Sequence, residues 1–201
     1  MSAPIPKDIP LVRARDLERP HETTDPSSAL EGRLAHFCGI GTTTFAAVLT
    51  ARMHVRGLPV AWISATADTV YPPDLAANGV DLGALTFVFA EDAGRAARAA
   101  EHMLRSGGFA LLVLDLETGA DIPDAAQGRI LRLARATGAG VLCITRGEEL
   151  LRGSMISLRG RVSCIHDTVG RYHMRVQITR DKQGGPGVRS GEVCHAPSGM
   201  R

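Results

Sequence analysis

Residues 32–49, GRLAHFCGIGTTTFAAVL, decide how the rest of the chain is read. LAHFC is a short apolar run, the pattern of a strand covered on both faces. The turn Gly39-Ile40-Gly41 follows it. Three threonines then open TTTFAAVLTARMHVRG. Phe45, Val48, Leu49 and Met53 share one face of that stretch and Gly57 ends it, so it predicts a helix. Strand, glycine turn and helix in this order open a βαβ unit.

The same rhythm continues toward the C-terminus. LPVAWIS predicts a buried strand, and YPPDLAANGVD a short helix with a Pro-Pro start and a stop at Asn78-Gly79. LTFVFA predicts a strand. EDAGRAARAAEHMLRSGG predicts a helix with an acidic start and glycines after it. FALLVLDL reads as a central parallel strand, AAQGRILRLARATG as a helix and AGVLCIT as another strand. Such alternation predicts an α/β fold, a mostly parallel central sheet with helices on both faces. After Thr145 the pattern changes. SLRGRVSCIHD and GRYHMRVQITR predict an antiparallel hairpin at the sheet's C-terminal edge, turning near residues 168–170.

Residues 1–30 read as a flexible tail broken by Pro4, Pro6, Pro10, Pro20 and Pro26, with IPLVRARDL as its one anchor-like stretch. Residues 31–190 form the expected domain, and residues 191–201 a second tail. A chain of 201 residues, 44% hydrophobic, suits one α/β domain. No apolar run approaches the roughly 18 residues of a membrane span. MSAPIPKDIPLVRARD has no signal-peptide core, so a cytoplasmic protein without membrane contact is expected. Cys38, Cys143, Cys164 and Cys194 show no C-x-x-C spacing, and with His166 and His195 they match no common zinc pattern, so no metal site is expected. Cys38 and Cys143 lie in apolar runs, as core cysteines do. Charge is uneven. Residues 1–140 hold 13 basic and 16 acidic groups, while residues 141–201 hold 10 basic and 5 acidic. A basic C-terminal third suits nucleic acid or an acidic partner, and equally a solvated arginine-rich surface.

A working phosphate loop has the form G-x-x-x-x-G-K-[ST]. Its backbone N–H groups wrap phosphates, its lysine bridges them, and its hydroxyl holds magnesium. Here Gly39 and Gly41 are the two glycines, with Ile40 alone between them. Thr42 then falls on the lysine position and Thr43 on the hydroxyl position. The chain's two lysines, Lys7 and Lys182, lie elsewhere. FALLVLD ends in Asp115, the form of a strand whose aspartate holds a magnesium shell. Strand-end aspartates also serve as plain caps. Thr42, Thr43 and Thr44 are expected to start their helix, with a hydroxyl capping free N–H groups.

With these pieces in order, residues 32–183 resemble the core of the RecA recombinase family. GRLAHFCG resembles the strand entering its phosphate loop. PVAWISATADTVYPPDLAANGVDLGAL resembles its strand, acidic residue and helix before a leucine-glycine-valine-aspartate run. EHMLRSGGFALLVLD and GRYHMRVQITRDKQGGPG resemble the helix-and-strand and the basic edge turn that follow. The resemblance puts the catalytic glutamate at or near Thr66, with Asp68 displaced from it. It puts the glutamine that feeds the second DNA-binding loop near Arg146, in ITRGEELLRG. That loop has no room between Thr145 and Met155, and the N-terminal filament elements have no counterpart. Arg180 and Lys182 resemble two basic residues that reach a neighbouring subunit's nucleotide in RecA filaments.

Among small RecA-like proteins the chain looks most like the ImuA family, related to SulA-type proteins, on PVAWI, GVDL and GGFALLVLDL. That resemblance implies a non-catalytic accessory role in DNA-damage response and translesion synthesis, with an ImuB-type polymerase relative and RecA as partners. No resident cofactor is expected. Gly39, Gly41, Thr42, Thr43 and Asp115 stand as a vestigial site for weak ATP and magnesium binding. Two other readings stay open. One is an ATPase with a divergent loop. The other is a DNA- or partner-binding module using Arg171, Arg175, Arg180 and Lys182, where Tyr172 is the only aromatic residue of that third.

Overall fold

Apolar runs of five and six residues make the middle of the sheet, because both of their faces are covered. In the computed structural model, which describes residues 28–66, 70–166, 171–183, 187–189 and 193–195, every residue of β1 (Leu34–Cys38), β2 (Val60–Ala65), β4 (Leu111–Leu116) and β5 (Gly140–Thr145) is buried. β3 (Leu85–Phe89) is only partly covered. The helices α1 (Thr42–Val55), α2 (Pro72–Ala77), α3 (Ala93–Ser106) and α4 (Asp124–Thr137) alternate with these strands. The strand order is β3-β2-β4-β5-β1-β6-β7-β8, with β6 (Leu158–His166), β7 (Arg171–Asp181) and β8 (Gly187–Arg189) closing one side. β9 (Val193–His195) also pairs with β7.

Pairing among β1 to β5 is parallel, and β6 joins β1 in the same sense. β7 runs antiparallel to β6. The expected α/β fold, mostly parallel sheet, two helix layers and antiparallel hairpin are therefore all present. The hairpin is not the outermost element, because β8 and β9 pair beyond β7, β9 within the stretch expected to be a tail. At the other end, Leu30 of the turn Ser28–Leu30 is buried in the core. Residues 1–27, Asp68 and the turn 168–170 lie outside the described residues.

Two cores flank the sheet. Phe45, Leu49 and Met53 of α1 and Leu75 of α2 pack with Phe37, Trp62, Val113 and Ile144 on one face. Ala96, Ala100 and Leu104 of α3 and Ile130 and Ala134 of α4 pack with Ile63, Leu112, Leu114 and Val141 on the other. Each fully buried leucine or isoleucine contributes about 2 kcal/mol. Local signals set the helix ends. Asp92 caps α3, its side chain accepting from the Arg95 N–H at 2.7 Å. Gly107 and Gly138 end α3 and α4 in the left-handed conformation.

Candidate functional site

The loop between β1 and α1 is tight against β6. Gly39 and Gly41 have φ of 113° and 100°, values that disfavour any side chain. A Cβ on Gly39 would lie 2.3 Å from the Val162 carbonyl oxygen, and one on Gly41 2.4 Å from Cys164 Sγ. These glycines thus serve a close approach to a neighbouring strand. The Gly39 N–H donates to the Thr145 carbonyl at 3.1 Å, and the Phe45 N–H to that of Gly41 at 2.9 Å. Gly41 is the N-cap of α1, and no side chain caps that end. The expected threonine cap is therefore corrected. The buried Thr42 hydroxyl points back to the strand ends, donating to the carbonyls of Gly39 at 3.1 Å and Thr145 at 3.3 Å. It ties the loop after β1 to the end of β5. Thr43 is half-buried and Ile40 exposed.

Asp115 stands on β4, opposite Ser64 of β2 and Ile144 of β5, on the side that carries α1. With β5 between them, β1 and β4 are two strand spacings apart, about 10 Å. Their following helices pack on opposite faces, which is where open α/β sheets place a ligand crevice. Asp115 is wholly buried. Arg146 Nη2 lies 3.4 Å from its Oδ2, and its Oδ1 has no hydrogen-bond partner among the described residues. Burial raises the carboxyl pKa to about 6. The Arg146 charge opposes that rise, and the Trp62 indole N–H, facing the carboxylate outside hydrogen-bond geometry, opposes it further. A magnesium-holding aspartate has to be ionised and approachable. Here the charge beside it is the Arg146 guanidinium. Thr66 lies just past β2 with its hydroxyl 3.4 Å from that of Ser64.

Residues 146–157 cross over β1 from β5 to β6, held by side chains that sequence reasoning missed. The Leu151 N–H donates to His36 Nδ1 at 3.3 Å, so the ring proton sits on Nε2 and faces the Thr145 hydroxyl at 3.0 Å. Burial, then the Arg159 charge, lowers the His36 pKa to about 4. Arg159 donates to the carbonyls of Leu151 and Gly153. Gln127 Nε2 of α4 donates to those of Ile122 and Arg152, both at 2.7 Å. The one sequence hint was His36 itself, a polar residue inside an apolar strand.

The four basic residues singled out from the sequence do not converge on the loop. They are strung along β7. Arg171 opens it, its backbone opposite His195. Arg175 is exposed opposite Ser163, and Arg180 exposed opposite Arg159. Lys182 follows the strand, its Nζ donating to the Ser154 carbonyl at 2.5 Å. Arg180 and Lys182 lie level with the first half of β1, away from Gly39 to Thr43.

Cys38, Cys143 and Cys164 are free thiols, and burial pushes Cys143 up to about 12. Among the described residues, no group of three His, Cys, Asp or Glu could hold a metal ion. No described helix is long and apolar enough to cross a membrane. No protein-family model matches this chain, and no curated protein matches it significantly.

Proposed function

We propose that this chain is a cytoplasmic, non-catalytic RecA-like accessory factor of translesion synthesis. It acts by holding an ImuB-type polymerase relative, and RecA, rather than by turning nucleotide over. The observation that carries this reading is the pairing of buried Asp115 with Arg146, beside a lysine-free loop whose glycines press on β6. Phosphoryl transfer depends on positioning and charge neutralisation. A wholly buried aspartate paired with a guanidinium, beside a loop without a lysine, supplies neither to a magnesium-nucleotide.

The β3 edge supports the interaction role. Leu85–Phe89 pairs only with β2 among the described residues, and it contains no charge and no proline. Phe89, at the end of this strand, is 71% exposed. Lysine, proline or a bulge usually protects such an edge, and an extended segment of a partner can add to it. The test uses the full chain, purified, with the ImuB-type protein and RecA of the same genome. Capture of either is expected, falling at least tenfold with Phe89→Lys, with no calorimetric heat from magnesium-ATP. Capture of neither, or hydrolysis of ATP, would overturn the reading.

A further inference from the structure

We infer that the outer face of β6 and β7 binds the phosphate backbone of duplex nucleic acid. The strand pattern builds this face. Met174, Val176 and Ile178 of β7 are buried under the α1 side. Arg175 and Gln177, alternating with them, are exposed on the other side, and so are their cross-strand partners Ser163 and Arg161. The register then shifts. Gly160 pairs with Ile178 but Arg159 pairs with Arg180, so Thr179 is the extra residue of a bulge. Bulges re-aim side chains, and this one returns Arg180 to the face of Arg175. Arginine, serine and glutamine are the side chains that meet phosphates.

Two further observations point to an anion. Arg159 is only 9% exposed, and its guanidinium donates to backbone carbonyls alone. No carboxylate pairs with it among the described residues, and burial first, then the Arg180 charge, disfavours its protonation. A buried cation beside a second cation destabilises the fold unless an anion joins them. Among the described residues, the acids of these strands and of the crossing segment do not fill this place. Asp181, the one acid of β7, is turned to Arg33 at 2.5 Å. Glu148 is 88% exposed and 3.6 Å from Arg161, a surface pair that phosphate can replace at little cost.

Shape favours duplex. From Arg175 to Lys182 the strand rises about 24 Å, some two-thirds of the roughly 34 Å duplex turn. The described side chains of this face offer no aromatic platform, on which single strands stack.

The test is fluorescence anisotropy of the full-length chain with a labelled 20-base-pair duplex. Four contacts, from Arg161, Arg175, Arg180 and Lys182, predict an affinity loss of about 100-fold between 50 and 200 mM salt. Arg175→Ala with Arg180→Ala should reduce that loss to about 10-fold and weaken low-salt binding. Arg95→Ala with Arg98→Ala, on α3, should leave both unchanged. Absence of duplex binding at low salt, tighter binding of single strands, or equal effects of the two double variants would overturn the inference. So would a β7 double variant that loses capture of a partner protein while keeping full duplex affinity.

Discussion

Gly41 meets two constraints at once, a φ of 100° and a missing Cβ that would stand 2.4 Å from Cys164 Sγ. Gly41→Ala is expected to destabilise the protein by about 3 kcal/mol, a fall in Tm of about 6–12 °C for a chain of this size. Adding Cys164→Ala removes the contact but not the backbone strain, so the double variant should recover only part of the loss. Gly57 supplies the contrast. Its φ is 69° but nothing stands within 4 Å of its missing Cβ, so Gly57→Ala should cost about 1 kcal/mol. Thermal melts that place Gly41→Ala level with Gly57→Ala would show that the loop does not press on β6. The missing lysine was legible in the sequence because the motif is local. The reason for the glycines was not, because Val162 and Cys164 lie on a strand far along the chain.

The segment 146–157 shows the same division at the scale of an element. Each strand and helix around it was legible, since apolar periodicity and glycine stops act over a few residues. The shortness of the segment was legible too. What holds it was not, because His36, Gln127 and Arg159 come from three different elements. Gln127 is the most informative of these. Its two donors reach Ile122 and Arg152, and its Oε1 stands 2.0 Å from where a Cβ on Gly153 would be. Gln127→Ala is expected to cost about 2 kcal/mol through two lost hydrogen bonds. It should also speed hydrogen exchange at the Leu151 amide, which bonds to His36, while leaving the β5 amides protected. Unchanged exchange at Leu151 would mean that Arg159 and His36 hold the segment without α4.

For the whole molecule, alternating strands and helices made the parallel sheet and its two helix layers legible. Which strands are neighbours was not, since β6 docks on β1 through the crossing segment rather than through any local signal. That docking buries His36 on one face of the sheet, while Asp115 is buried on the other, and the two bend stability in opposite senses. Asp115 has a folded pKa of about 6 against an ordinary 3.8. Between these values the native state holds a proton that the unfolded chain lacks, so falling pH stabilises the fold. His36 drops from 6.5 to about 4. Between those values the unfolded chain holds the extra proton, so falling pH destabilises the fold. Each effect amounts to about 3 kcal/mol over its full range. Their windows overlap from about pH 4 to 6, so the wild-type Tm should be nearly level there. Asp115→Asn leaves the histidine effect alone. Its Tm should exceed that of wild type at pH 8 and fall as the pH drops from 6.5 to 4. His36→Asn keeps an acceptor for the Leu151 N–H and leaves the aspartate effect alone, so its Tm should rise as the pH drops from 6 to 4. Melting curves of the three proteins against pH separate these outcomes. Parallel profiles would mean that neither group changes its proton affinity on folding.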